Sequence, residues 1–363
     1  MSNQVIVIET VNRKAPDDQL KPSKWTRIKD RVTNAFSRKK KQDRDDLQNE
    51  KETNIPEMIE KKPKLTIKRR FIQFFAKCLP SNRKIEEDDL EKSTPGDHTR
   101  LKNKYKRGKL LGEGSFAKVY QAVQRKTQRP VVIKRILKSR IDELMLGLDS
   151  EGKSKPTEVI VLEQVKDTRG LVNMIEYIES RRYFSIVMEP FGDGTTLEKY
   201  IEKREESLPV PVAARIIRDV TEAAQQLHQK IEFIHADIKL DNVLFDEASL
   251  SALLIDVGLS FKFHSGPAGY GSQLFSAPEV FVEYPGCGPH LDVWALGIML
   301  YYMLTKRYPF TSAYEVMAGE VDLTFTNCED LKYLLNGMLH REKDERFSTE
   351  QILSSDWILK NVV

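Results

Sequence analysis

Ile234-His235-Ala236-Asp237-Ile238-Lys239-Leu240-Asp241-Asn242 is the stretch that decides the reading of this chain, and Asp256-Val257-Gly258 begins fourteen residues after Asn242. The two segments supply carboxylates at Asp237 and Asp256, an ammonium at Lys239 and an amide at Asn242, all between apolar, β-rich runs. A carboxylate at Asp237 can orient a hydroxyl and accept its proton. Lys239 can neutralise charge on a phosphoryl group in transit. Asn242 and Asp256 offer the oxygen ligands that a hard cation such as magnesium prefers. Asp237 and Asn242 are five positions apart, so one tight loop carries base and ligand together. The set points to phosphoryl transfer from a magnesium nucleotide. The plain alternative, a polar loop with chance acids, loses ground as further motifs fall into place around it.

Upstream, Tyr105 to Leu111 reads as a strand and leads into Gly112-Glu113-Gly114-Ser115-Phe116-Ala117-Lys118-Val119-Tyr120. Two glycines let backbone amides approach phosphates with no Cβ in the way. They lie between two strands and not before a helix, which favours a hairpin lid over a nucleotide and disfavours a dinucleotide-binding turn. Pro130-Val131-Val132-Ile133-Lys134 is an apolar strand ending in Lys134, whose plain alternative is a surface lysine at a strand end. Ser139 to Lys155 is expected to be a polar loop, and Pro156 to open a helix, where proline is tolerated. Val161, Leu162 and Val165 form the buried stripe of that helix. Glu158 at its edge can reach Lys134, and Glu163, on the opposite face, ranks second. Met174–Glu179 and Tyr183–Glu189 read as strands, and Glu189-Pro190-Phe191-Gly192 breaks the pattern. Beyond it Ala213, Ile216, Ile217, Val220, Ala223, Ala224 and Leu227 form a helical stripe started by Pro209 and Pro211. Val243–Phe245 and Ala252–Ile255 read as short strands, and Leu291–Leu304 as a helix apolar all round and therefore buried.

These motifs resemble the eukaryotic protein kinases, whose catalytic loop H-R-D-x-x-x-x-N and metal motif D-F-G correspond to H-A-D-I-K-L-D-N and D-V-G here. The resemblance covers about residues 105–358. It implies an α+β, bilobal fold: a small β-rich lobe (105–189), a hinge (189–193) and a larger helical lobe (194–358). It implies Asp237 and Lys239 as catalytic residues, and Asn242 and Asp256 as ligands for magnesium, with manganese as a substitute. ATP would lie against Leu111, Gly112, Glu113, Gly114, Ser115, Phe116, Ala117 and Val119, with Lys134 clamping its phosphates and Glu158 positioning Lys134. Met188 would close the back of the adenine pocket, beside Glu189 and Phe191 of the hinge. Ser276-Ala277-Pro278-Glu279 matches A-P-E and ends the activation segment, residues 259–276, which is expected to be mobile. Glu279 is expected to pair with Arg346, and Asp292 to cap amides of the catalytic loop. The proline-containing hinge and residues 138–165 look most like the Pim kinases of the calcium/calmodulin-dependent-kinase group.

The 363 residues carry a net charge of +4, but residues 1–100 hold 24 Lys+Arg against 17 Asp+Glu, a net of +7, and the remainder 34 against 37, a net of −3. Attraction to anionic surfaces therefore belongs to the first hundred residues, which read as a largely disordered basic extension. Within it, Trp25, Ile28, Val32 and Phe36 precede Arg38–Lys41, and Lys68-Arg69-Arg70 precede Phe71, Ile72, Phe74 and Phe75. Basic residues beside aromatics suit anionic lipid or an acidic partner for residues 20–84, and the basic runs also read as nuclear-import signals; no nucleic-acid partner is expected. Cys78, Cys287 and Cys328 have no metal-ligand spacing and leave one unpaired in any disulfide scheme. No signal peptide or membrane-spanning stretch is evident. A cytoplasmic protein, with the nucleus as a second location, is the expectation.

Three departures from the kinase pattern stand out. Ala236 replaces the arginine that receives an activation-segment phosphate, so activity is expected not to depend on phosphorylation of Ser265, Tyr270 or Ser272. Val257 replaces a phenylalanine packed between the lobes, and Ala117 a glycine. Lys239, two residues after Asp237, resembles serine/threonine kinases. Asp241, with Asp193 or Glu198 near the hinge, gives weak support to basic-directed protein substrates. The resemblance thus implies an ATP-dependent serine/threonine protein kinase; the alternative is a pseudokinase, a nucleotide-binding or scaffolding module.

Overall fold

The computed structural model describes residues 99–114, 116–141, 143–263, 275–282 and 288–362. The basic-aromatic islands of residues 20–84, the glycine-loop Ser115, and Ser265, Tyr270 and Ser272 lie outside the described residues. The description begins with a short helix, α1 (Thr99–Lys104), followed by strands β1 (Tyr105–Glu113), β2 (Ala117–Gln124) and β3 (Pro130–Leu137). The segment expected as a plain loop before the next helix holds a hairpin, β4 (Leu146–Leu148) and β5 (Ser154–Pro156). Its turn is made by Asp149, whose Oδ1 accepts from the amides of Glu151 and Lys153, both at 2.9 Å, and by Gly152 at φ +74°. A polar composition concealed this hairpin, because a three-residue strand shows no readable alternation.

Helix α2 (Thr157–Gln164) starts directly after Pro156 and buries Glu158, Val159, Val161 and Leu162. Strands β6 (Met174–Glu179) and β7 (Tyr183–Met188) complete an antiparallel sheet of order β1-β2-β3-β7-β6. Its register gives each face a separate task. Val119, Lys134 and Ile186 share one face, and Tyr120, Ile133 and Val187 share the other. The outer face has its own small core of Tyr105, Ala122, Val131, Ile133, Ile178 and Val187, closed by Leu101 of α1. Thr99 and Arg100, expected at the end of the basic extension, therefore open a helix that packs on the sheet.

The helical lobe contains α3 (Leu197–Glu202), α4 (Val210–Ile231), the strand β8 (Phe233–Ile234), the hairpin β9 (Val243–Asp246) and β10 (Ser251–Leu254), and β11 (Phe261–Lys262) paired with β8. Then follow α5 (His290–Thr305), α6 (Ala313–Ala318), α7 (Glu329–Met338), α8 (Thr349–Leu353) and α9 (Asp356–Asn361). Helix α4 buries the stripe from Ala213 to Leu227 and leaves its other face to water, as its spacing dictates. Helix α5 is apolar on every side and is buried from Asp292 to Tyr301, with Trp294 stacked on Phe310 at 5.6 Å. No described helix is long and apolar enough to cross a membrane.

Gly297 is where α5 meets α7. A Cβ there would lie 2.8 Å from Leu339 Cδ2 and 3.1 Å from Met338 Cβ, and both of those residues are buried. Gly297→Val should therefore overpack this contact and lower stability by about 1–3 kcal/mol, read as a lower denaturant midpoint at unchanged slope. An unchanged midpoint would show that the two helices separate freely.

Candidate active site

Three elements converge on one ammonium group. Lys134 leaves β3 on the face opposite the small outer core, and its Nζ lies 2.7 Å from Glu158 Oε2 on α2 and 2.7 Å from Asp256 Oδ1. Glu158 is buried, whereas the Asp256 side chain, 45% exposed, faces the open cleft. Glu163 instead points outward to Lys155, at 3.3 Å. Burial pushes the Glu158 carboxyl up to about 7, a shift that the Lys134 charge only partly opposes. For Lys134 and Asp256 burial acts first against the charged form, but their mutual attraction outweighs it, holding the ammonium above and the carboxyl below their ordinary ranges.

Asp256 sits at φ +63° and caps the turn Val257–Leu259, accepting from Gly258 N at 3.3 Å. Val257 is completely buried. The backbone of Ile255 donates to Asn242 O at 2.9 Å, which ties this turn to the loop carrying Asp237. Within that loop Asn242 Nδ2 donates to Asp237 O and Oδ2, both at 2.9 Å, and Lys239 Nζ lies 2.6 Å from Asp237 Oδ2. Asn242 thus spends its NH₂ on the loop and keeps Oδ1 as an acceptor.

Asp292 holds the same loop from below. It accepts from His235 N at 2.8 Å and from Ala236 N at 2.9 Å, and His228 Nε2 lies 2.8 Å away. Burial favours the neutral acid, yet the His228 hydrogen bond and the neighbouring histidines keep this carboxyl below its usual range. Ala236 adopts φ +65°, a left-handed conformation uncommon in a non-glycine residue and held here by the hydrogen bond from its amide to Asp292. Further down the chain, Arg346 grips Glu279 through both oxygens, at 2.7 and 2.9 Å, also donates to His290 O, and lies over Trp294.

A cavity of about 600 Å³ opens beside Lys134. Of the residues expected to meet a nucleotide, Leu111, Gly112, Val119, Lys134, Glu158, Met188, Glu189 and Phe191 line it, as does Asp256. Glu113, Gly114, Phe116 and Ala117 belong to the β1–β2 hairpin but not to the cavity wall. The walls also include Val132, Val172, Thr196, Leu244, Leu253 and Ile255, which sequence reasoning missed. Leu244 lies in the strand β9 that directly follows the turn ending at Asn242. Gly192, at φ +48°, brings the hinge against Asp246, where a Cβ would meet Asp246 Cβ at 3.0 Å.

The family described as "Protein kinase domain" matches residues 105–358. The chain belongs to the protein kinase family. Over 262 residues it is 30% identical to the PAS domain-containing serine/threonine-protein kinase of Mus musculus, covering 71% of this chain and 19% of that relative. It is 30% identical to the SNF-related serine/threonine-protein kinase of Rattus norvegicus (70% of this chain, 34% of the relative). It is also 30% identical to the serine/threonine-protein kinase stk11 homolog of Dictyostelium discoideum (75% and 47%). The chain thus spans between about a fifth and a half of the length of these relatives.

The kinase domain's buried glutamate has a thermodynamic signature. An unfolded glutamate releases its proton near pH 4.3, and Glu158 in the folded kinase domain releases it at about 7. Between those values the folded chain binds the extra proton, so stability falls as pH rises through this window, by at most about 1.4 kcal/mol for each pH step of one. The stability difference between the unaltered chain and Glu158→Gln should therefore change by a few kcal/mol between about pH 5 and 7.5, with the unaltered chain favoured on the acid side. Parallel pH profiles for the two chains would refute the assignment.

Proposed function

We propose that the kinase domain transfers the γ-phosphoryl group of magnesium ATP to serine or threonine hydroxyls of protein substrates. The observation that carries this reading is Lys134 Nζ, 2.7 Å from both Glu158 and Asp256 at the wall of an open cavity. In that position Lys134 holds nucleotide phosphates, and Glu158 fixes its rotamer. Asp237 orients the acceptor hydroxyl and takes its proton, while Lys239, 2.6 Å away, offsets negative charge on the phosphoryl oxygens. Asn242 Oδ1 and the second oxygen of Asp256 are hard donors that fit magnesium. The described residues contain no cluster of three or more side chains able to hold a metal alone, which suits a cation whose other ligands are phosphates and water. Bound magnesium supplies charge neutralisation on the phosphates.

Two acids at α3 and the catalytic loop support a preference for basic substrates. Glu198 shares a hydrogen bond with Asp241, and that contact, with burial second, pushes the Glu198 carboxyl up to about 7. A guanidinium from a substrate would offset the repulsion between the two side chains and favour the ionised form of Glu198. The hinge Glu189-Pro190-Phe191 supports the Pim-like placement, because proline removes one backbone donor from the stretch facing adenine.

Purified protein with labelled ATP should phosphorylate a serine peptide bearing an upstream arginine. Incorporation should drop by about three or more orders of magnitude in Asp237→Asn, and the advantage over an arginine-free peptide should shrink in Glu198→Gln with Asp241→Asn. No incorporation, with nucleotide still raising the melting temperature, would instead indicate a nucleotide-binding scaffold.

Ala236 carries no guanidinium of its own to receive an activation-segment phosphate, and its amide is already held by Asp292. Activity is therefore set by the fold and not by Ser265, Tyr270 or Ser272. Phosphatase-treated and phosphorylated preparations should differ in kcat/KM by less than about tenfold, or ~1.4 kcal/mol; a larger gain on phosphorylation would sink the idea.

A further inference from the structure

On the outer face of the sheet, cations and rings alternate across four strands; Arg107, at one end of the row, also belongs to the lining of the cavity. Arg107 on β1 places Cζ 4.8 Å from the Tyr120 ring on β2, and Arg135 on β3 places Cζ 3.9 Å from the Tyr183 ring on β7. Arg107 is exposed and Arg135 half-buried. Burial, with the Arg107 charge adding to it, lowers the proton affinity of Arg135. Among the described residues no carboxylate lies within ion-pair distance of either guanidinium, and Arg135 Nε is buried without an acceptor. The same face shows how its other cations are satisfied: Lys104 by Glu176 at 2.7 Å and Lys118 by Glu113 at 3.4 Å. A row of two clustered arginines stacked on tyrosines is built for carboxylates, since guanidinium binds them through paired N–H groups and the rings hold it in place.

The matching charge lies in this chain. Glu86-Glu87-Asp88-Asp89 precedes Thr99, where the described fold begins, by ten residues counted from Asp89. Helix α1 brings the chain onto this very face, because Leu101 packs on the outer core of the sheet. Ten residues reach roughly 33–36 Å when extended, and a row across four strands is about 14 Å wide at ~4.8 Å per strand. We propose that Glu86–Asp89 docks in cis on the Arg107–Arg135 row. The row is then an intramolecular acid-binding surface, and an acidic partner in trans reaches it only by competition. This does not depend on the catalytic reading of the cleft.

The test uses the full chain and a fluorescent peptide of residues 85–91 as probe. A chain with Glu86→Gln, Glu87→Gln, Asp88→Asn and Asp89→Asn has lost the competitor. It should bind the peptide about tenfold tighter than the unaltered chain, and lose that gain when Arg107→Gln and Arg135→Gln are added. Equal affinity of the first two chains, or no binding by either, overturns the cis contact; binding that survives loss of both arginines overturns the row as its site. A second measurement needs no change to the arginines. Amide exchange across residues 85–91 of the unaltered chain should be slowed several-fold at about 0.01 M salt relative to about 1 M, where charges beyond ~3 Å are screened. The neutralised chain should show no such slowing, and the absence of a salt effect in the unaltered chain counts against the proposal.

Discussion

One ammonium between two carboxylates ties the two lobes of this kinase domain together. Lys134 belongs to the sheet, Glu158 to the helix beside it, and Asp256 to the far lobe, 122 positions along the chain from Lys134. Burying the charges of Lys134 and Glu158 is expensive, and breaking such a buried pair by deleting one partner typically costs about 3–5 kcal/mol, because an uncompensated charge remains. The triad therefore acts less as a source of stability than as a constraint on geometry. Helix α2 must sit against β3, and the turn after Asp256 must face the cleft, for all three charges to be satisfied at once.

The second constraint is the carboxylate of Asp292, which secures the backbone amides of His235 and Ala236 from inside the helical lobe. A buried helix with an acid in its first turn is otherwise hard to justify, since the surroundings of α5 are apolar on every side. The arrangement explains how alanine persists at a left-handed position where a larger neighbour-binding side chain is usual in the family. The loop is held through its backbone, so the identity of residue 236 is released for other purposes. Together with the bidentate Arg346–Glu279 clamp, where Arg346 is fully buried, the lobe fixes both ends of the segment that leaves the cleft.

Val257 shows how a smaller side chain is accommodated. It is completely buried in the turn after Asp256, and the next residue, Gly258, is approached by Met145, whose Cε would lie 3.5 Å from a Cβ there. Met145 comes from the segment just before the β4–β5 hairpin. An unbranched thioether fills irregular space well, so the segment between β3 and α2 contributes packing beside the turn that carries the small Val257.

Most of the fold was legible because its signals are local. The spacing of Ala213 to Leu227 shows a helix with one wet face, and the unbroken apolar run of α5 shows a buried one. Lys134, Glu158, Asp237, Asn242 and Asp256 could each be singled out from residue type and spacing to a neighbouring motif. The sequence by itself thus determined which side chains carry charge, which lie on strands or helices, and which family they resemble. Tertiary structure alone decided what these charges meet. That Lys134 contacts both carboxylates, that Asp292 reaches two amides 56 and 57 positions away, and that Arg107 and Arg135 form a row with rings from other strands all follow from strand order and helix docking. Those depend on the summed burial of many apolar residues distributed through the chain, and no short window of sequence contains that sum.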